Sequence, residues 1–87
     1  MDKEIINGIS LLKSSDYRYK IMKSIGNDMK TPSEISNMIG IRLNHVSMFL
    51  SELKRNGLIE CLNEENRKGR LYRITELGKD VLSRTKK

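Results

Sequence analysis

The sequence has one cysteine, one histidine, one proline and no tryptophan among its 87 residues. A lone Cys61 excludes an intramolecular disulfide and suits a reducing compartment. With His45 as the single histidine, no Cys/His set at metal-ligand spacing exists, so no metal site is expected. An aromatic content of 5% with no Trp argues against a stacking platform for single-stranded nucleic acid. There is no apolar run near ~18 residues and no charged-then-apolar leader, so neither a membrane span nor a signal peptide is expected. Nor is there a glycine-rich phosphate loop, or a nucleophile with a plausible histidine partner. An enzyme is therefore not expected, and no catalytic residue, cofactor or small-molecule ligand is evident. A cytoplasmic, nucleoid-associated location fits these absences.

What the chain does have is positive charge: 17 Lys/Arg against 11 Asp/Glu, a net +6 and a pI near 9.7. The excess is uneven, and residues 58–87 hold eight Lys/Arg against five Asp/Glu. Such a balance serves a solvated lysine-rich surface equally well, or an electrostatic footprint for phosphate. The length supports one domain with one modest core.

Apolar spacing places the elements. Ile5, Ile6, Ile9 and Leu12 recur at helical spacing over residues 2–13, interrupted by Gly8. Ser14 or Ser15 caps a second helix beginning near Asp16, with Tyr17, Ile21, Met22 and Ile25 on its apolar face and Gly26-Asn27 as its stop. Thr31-Pro32-Ser33-Glu34 is a start signal: a capping Thr, a proline at the first helical position and a Glu three residues after the cap. That helix buries Ile35 and Ile39 with Met38 alongside and ends at Gly40. A further helix runs from Leu43 to Asn56, with Val46, Phe49, Leu50 and Leu53 on one face. Residues 58–62 and 71–74 read as two strands of a hairpin around the polar loop 63–69. Thr75 caps a last helix with Leu77, Val81 and Leu82 inward, followed by a fraying basic tail at residues 84–87. Two short strands cannot stand alone and must pack on the helices. The expected fold class is α+β, mostly helical.

Residues 32–51 have the spacing that two helices need to cross over a short turn: Ser36 is small at the crossing, Gly40 turns, Ile41 plugs the corner, and Val46 with Phe49 anchors the second helix. This stretch resembles the helix-turn-helix of bacterial and archaeal repressors. The run from Leu50 to Ile59 resembles the end of a winged-helix recognition helix entering its first wing strand. The run from Arg70 to Lys79 is similar to the second wing strand and its turn into the last helix. Together these cover roughly residues 15–82. The resemblance is to winged helix-turn-helix regulators of the arsenic-repressor and antibiotic-resistance-repressor types. It implies a three-helix core with a two-stranded β wing, plus extra N-terminal and C-terminal helices. On this reading residues 1–87 form a single winged-helix DNA-binding domain, with 1–13 an N-terminal helix, 15–82 the core and 83–87 a basic tail. The paired-cysteine motif of the arsenic-repressor sensors is missing, and so are the long flanking dimer helices of the antibiotic-resistance type.

The resemblance implies binding of double-stranded DNA by a transcriptional regulator, with repression the expected direction. The second helix of such a motif enters the major groove by its N-terminal residues. With Val46, Leu50 and Leu53 inward, Asn44, Ser47, Met48, Ser51 and Arg55 face out, and Arg42 stands at the start of the helix. Asn44 suits an adenine edge, Arg42 guanine or phosphate, Met48 a thymine methyl, and Ser47 and Ser51 base or backbone. His45 is a phosphate-contact candidate. In the hairpin loop Arg67, Lys68 and Arg70 suit backbone or minor groove, opposed by Glu64 and Glu65. Thr31 and Ser33 open a helix whose free amides can meet a phosphate. The same residues also read as an ordinary solvated face and an ordinary cap.

The N-terminal Ile/Leu stripe either covers the core or pairs with a second chain together with the last helix, and a homodimer would match a near-palindromic site with two half-sites ~34–36 Å apart. A winged-helix adaptor that binds protein rather than DNA is the rival reading. The polar recognition face favours DNA, although Glu52 lies nearby. Duplex RNA, whose major groove is deep and narrow, would exclude the recognition helix.

Overall fold

The computed structural model describes residues 2–85. Helices α1 (Lys3–Lys13), α2 (Asp16–Ile25), α3 (Pro32–Ile39) and α4 (Leu43–Arg55) precede strands β1 (Ile59–Cys61) and β2 (Tyr72–Ile74), and α5 (Glu76–Arg84) closes the order. β1 and β2 pair antiparallel with Ile59 opposite Ile74, Glu60 opposite Arg73 and Cys61 opposite Tyr72. Both strands are shorter than the sequence pattern suggested, although single backbone bonds extend the pairing at either end, Leu62 N to Leu71 O at 2.8 Å and Thr75 N to Leu58 O at 3.1 Å. One core, built from Leu12, Ile21, Met22, Ile25, Ile35, Val46, Leu50, Leu53, Leu58, Ile59, Tyr72, Ile74 and Val81, joins all the helices to the sheet. No helix among the described residues is long and apolar enough to cross a membrane.

The helix ends follow the local chemistry. Ser15, not Ser14, caps α2, its hydroxyl accepting from the Arg18 amide, while Ser14 closes α1. Thr31 and Glu34 form a reciprocal capping box at α3. Gly40 ends α3 in the left-handed conformation, at φ 72°, where a Cβ would be strained. The Ser36 hydroxyl donates to the Ile41 carbonyl at 2.5 Å, so this small residue also fastens the turn between α3 and α4.

Several expectations need correction. Tyr17 is 46% exposed and Met38 57% exposed. The core faces of α2 and α3 are narrower than their apolar patterns, and these two residues fall at the edges. Residues 83–85 of the expected basic tail are part of the fold. Arg84 belongs to α5 and pairs with Asp80 at 2.7 Å, and Thr85 is buried with its hydroxyl on the Val81 carbonyl. Met1 and Lys86-Lys87 lie outside the described residues.

Of the N-terminal stripe, Leu12 is fully buried, Ile5 and Ile9 are half-buried, and Ile6 is 51% exposed. The stripe therefore covers this chain's own core, where α1 lies against α5. Glycines let α5 pack closely against α1 and against the Leu58 backbone before β1. A Cβ on Gly8 would stand 2.7 Å from a methyl of Val81, and one on Gly78 only 2.0 Å from the Leu58 carbonyl oxygen. Backbone cannot rotate away as a side chain can. Gly78→Ala is therefore expected to cost about 3 kcal/mol, and Gly8→Ala less, since the Val81 side chain can shift. Chemical denaturation of both variants checks this; a Gly78→Ala protein as stable as the unsubstituted chain would refute the packing.

Candidate nucleic-acid interface

The first feature of the interface is a backbone contact. Lys30 and Tyr72 exchange hydrogen bonds, Lys30 N to Tyr72 O at 3.0 Å and Tyr72 N to Lys30 O at 2.9 Å. This bridge binds the residue before Thr31 to the returning wing strand. The start of α3 is thereby held beside the wing. Nothing in the pattern of the linker 26–30 announced it.

Between the start of α3, the outer face of α4 and the wing lies an open groove of about 550 Å³. Thr31, Ser33, Ser47, Ser51, Arg67, Lys68 and Arg70 line it, with Pro32, Leu43, Gly69 and Tyr72. Sequence reasoning had drawn those polar residues from three separate segments, and the fold gathers them. Arg42, Asn44, His45, Met48 and Arg55 are exposed on α4 and at its start. Val46, Leu50 and Leu53 point into the core, so at 100° per residue Asn44, Met48, Ser51 and Arg55 stand on the outermost side. Arg42 is the N-cap of α4 and makes no side-chain cap hydrogen bond. The end of this helix is open to an outside acceptor.

The wing is braced from within. The Asn63 side chain accepts from the Leu71 amide at 2.8 Å and donates to the Gly69 carbonyl at 3.2 Å. The Arg70 guanidinium donates to the carbonyls of Asn66 (2.6 Å) and Glu64 (3.2 Å). Arg70 is thus a strut of the loop as well as a cation of the groove, while Arg67 and Lys68 are exposed at the tip. Arg73 is spoken for by its cross-strand partner Glu60 at 2.7 Å. Sequence reasoning missed Asn63, whose only signal was its place at the mouth of a polar loop.

Three acids of α3, α4 and the wing are each held by a partner. The Thr31 amide, 2.9 Å from Glu34, holds that carboxyl below its usual range. Lys54 pairs with Glu64, lowering the Glu64 carboxyl and raising the Lys54 ammonium. Glu64 thus ties the wing to α4, where it had been read as opposing a phosphate contact. Glu52 takes a two-point contact from Arg18, Nε at 2.5 Å and Nη2 at 3.0 Å. Arg18 also donates to the Leu11 carbonyl and the Ser14 hydroxyl. One guanidinium therefore links the end of α1, α2 and α4. Among the described residues no group of three His, Cys, Asp or Glu side chains is placed to hold a metal.

A family model described as winged helix-turn-helix matches residues 14–87. No match was found among curated protein sequences. Among solved structures, the fold is similar to TubR from Bacillus thuringiensis serovar israelensis pBtoxis bound to 24 bp of tubC, with TM-score 0.77 and 15% identity over 91% of this chain and 88% of that one. It is similar to a mutant MarR from E. coli complexed with operator DNA, with TM-score 0.71 and 24% identity, covering 94% of this chain and 60% of that one. A third is the homodimeric DNA-binding domain of a possible ArsR-family regulator from Mycobacterium bovis, with TM-score 0.67 and 25% identity over 91% of this chain and 69% of that one.

The Arg18–Glu52 pair has a testable pH signature. Arg18 hydrogen bonding depresses the Glu52 carboxyl below its ordinary value of 4.5. A depressed acid contributes stability that is full above its unfolded pKa and lost as pH falls through the lower, folded one. Because both side chains are partly solvated, Glu52→Gln is expected to cost only about 1 kcal/mol at neutral pH. The difference between the two proteins should shrink below about pH 4.5. Denaturation series at pH 3 to 7 would measure it; a gap independent of pH would show that the charge contributes nothing.

Proposed function

The chain belongs to the winged helix-turn-helix family, and from that premise we propose that it is a homodimeric, sequence-specific double-stranded DNA-binding transcriptional regulator, repressing by occupying its operator. Helix α4 reads the major groove while the wing, residues 63–73, holds backbone or minor groove. The observation that carries this reading is the convergence of three elements on one groove. The capped start of α3 supplies Thr31 and Ser33, α4 supplies Ser47 and Ser51, and the wing supplies Arg67, Lys68 and Arg70. These are the parts that phosphate and base recognition need, and Glu64 of the wing is paired with Lys54.

Within that frame Asn44 addresses an adenine edge, Arg42 guanine or phosphate, and Met48 a thymine methyl. His45 and Arg55 flank the helix as phosphate contacts. Two of the similar structures are DNA complexes and one is homodimeric, which supports both the ligand and a two-fold assembly. The recognition face is mostly polar, with Leu43 and Met48 its exposed apolar residues, which favours DNA over an adaptor surface.

Binding to random and selected duplexes across a salt series tests the proposal, with single-stranded DNA and duplex RNA as controls. Log affinity for duplex DNA should fall linearly with log salt. Arg67→Ala should flatten that slope by about 1, whereas Asn44→Ala should relax preference at one base pair by about 1–3 kcal/mol. No duplex binding at ~50 mM salt, where even non-specific association is favoured, would overturn the reading in favour of a protein partner.

A further inference from the structure

The flank of α4 that faces away from the wing carries a second feature. On α4, His45, Phe49 and Glu52 lie one above another at helical spacing, and this side meets the N-terminal half of α2. Phe49 packs on Tyr17 with ring centroids 6.0 Å apart and planes tilted by 36°. Glu52 is held by Arg18. Outside this contact Tyr17 remains 46% exposed, and the ammonium of exposed Lys20 lies 6.0 Å from its ring centroid. The result is a tyrosine fixed by one face, a lysine one turn along, and His45 beyond them on α4.

A helix with its side chains is about 10–12 Å across, and the major groove is about 12 Å wide. A helix seated there has a phosphate strand along each flank. On one flank of α4 stand the wing and the start of α3. On the other stand Tyr17 and Lys20. We propose that Tyr17 and Lys20, with His45, form a second phosphate-binding strip that grips the strand opposite the one held by the wing. This rests on the duplex-DNA reading above and extends it to α2. The Tyr17 hydroxyl donates to a phosphate oxygen and Lys20 supplies the counter-charge, while Phe49 and the Arg18–Glu52 pair keep the strip in register with α4. Neutralising Glu52 also removes the carboxylate that would repel that strand. Asp16 lies about 100° from Tyr17 around the helix axis and is itself engaged.

The test uses Tyr17→Phe, which keeps the ring on Phe49 and removes only the hydroxyl, and Lys20→Ala. Both are measured on a duplex that the unsubstituted chain binds. Lys20→Ala should flatten the salt slope by about 1, and Tyr17→Phe should weaken binding by about fivefold, the scale of one hydrogen bond. Losses should be equal on specific and random duplexes, since phosphates carry no sequence. Thermal unfolding should be unchanged. Phosphate-ethylation interference should mark phosphates on both strands of each half-site, with those on one strand of the half-site lost in Lys20→Ala and those on its other strand lost in Arg67→Ala. If the unsubstituted chain binds duplex DNA and both α2 variants match it in affinity and slope, the strip is refuted while DNA binding stands. If the unsubstituted chain binds no duplex, both readings fall together.

Discussion

The geometry of this molecule depends on the pair of backbone hydrogen bonds between Lys30 and Tyr72. A two-stranded hairpin is marginal by itself, and the β1–β2 pairing spans only three residues a strand. The bridge adds a third backbone to the edge of β2, and Tyr72 is buried in the core beneath it. Because Lys30 immediately precedes the cap Thr31, the same contact that steadies the wing also sets where α3 begins. Without it, α3 and the wing would be joined only through the shared core, and the groove between them would have no fixed width.

Charge pairing does for α4 what the bridge does for α3. Arg18 holds the end of α1, α2 and Glu52 of α4 through four hydrogen bonds. Lys54, in the same last turn of α4 but on its opposite side, holds the wing. Exposed pairs add little stability individually. Their effect here is directional: each consumes an acid on a flank of α4 and leaves Arg42, Arg67 and Lys68 as exposed cations without an acidic partner among the described residues. A net charge of +6 spread evenly would give weak, unspecific attraction. The cations that do gather beside α4, Arg67, Lys68 and Arg70 of the wing with Arg42 at the helix start, orient an incoming polyanion.

The helices were legible in the sequence because each carries its own start and stop. Thr31-Pro32-Ser33-Glu34 and Gly40 bound α3 within the chain's own chemistry, and α4 declares its buried face through Val46, Leu50 and Leu53. The exposed face of α4 followed by subtraction. What could not be read was anything requiring two distant segments: the Lys30–Tyr72 bridge, the Asn63 clasp, the closeness of α1 and α5. Gly8 looked like a flaw in an amphipathic helix. In the fold it is the point where Val81 of α5 fits against α1, a packing reason that no local pattern encodes. Tyr17 was misplaced for the converse reason, since helical spacing marks a side as apolar without saying how wide the covering partner is.

Those failures and successes divide along one physical line. Local free energies, in caps, propensities and apolar periodicity, are written at spacings of three or four residues. The assembly of a binding groove is written in contacts between residues far apart in the chain. Arg70 shows how the two levels meet. As a cation in a polar loop it reads as a ligand-facing residue, yet its guanidinium is already bonded to the carbonyls of Glu64 and Asn66. Such a residue holds its charge in a fixed position, at a low cost in side-chain entropy when a phosphate arrives. Arg67 and Lys68, free at the tip, must lose that entropy on binding. The wing thus combines a preorganised cation at its base with adaptable ones at its end, and a surface of that kind can settle on a backbone before its outermost side chains have found their places.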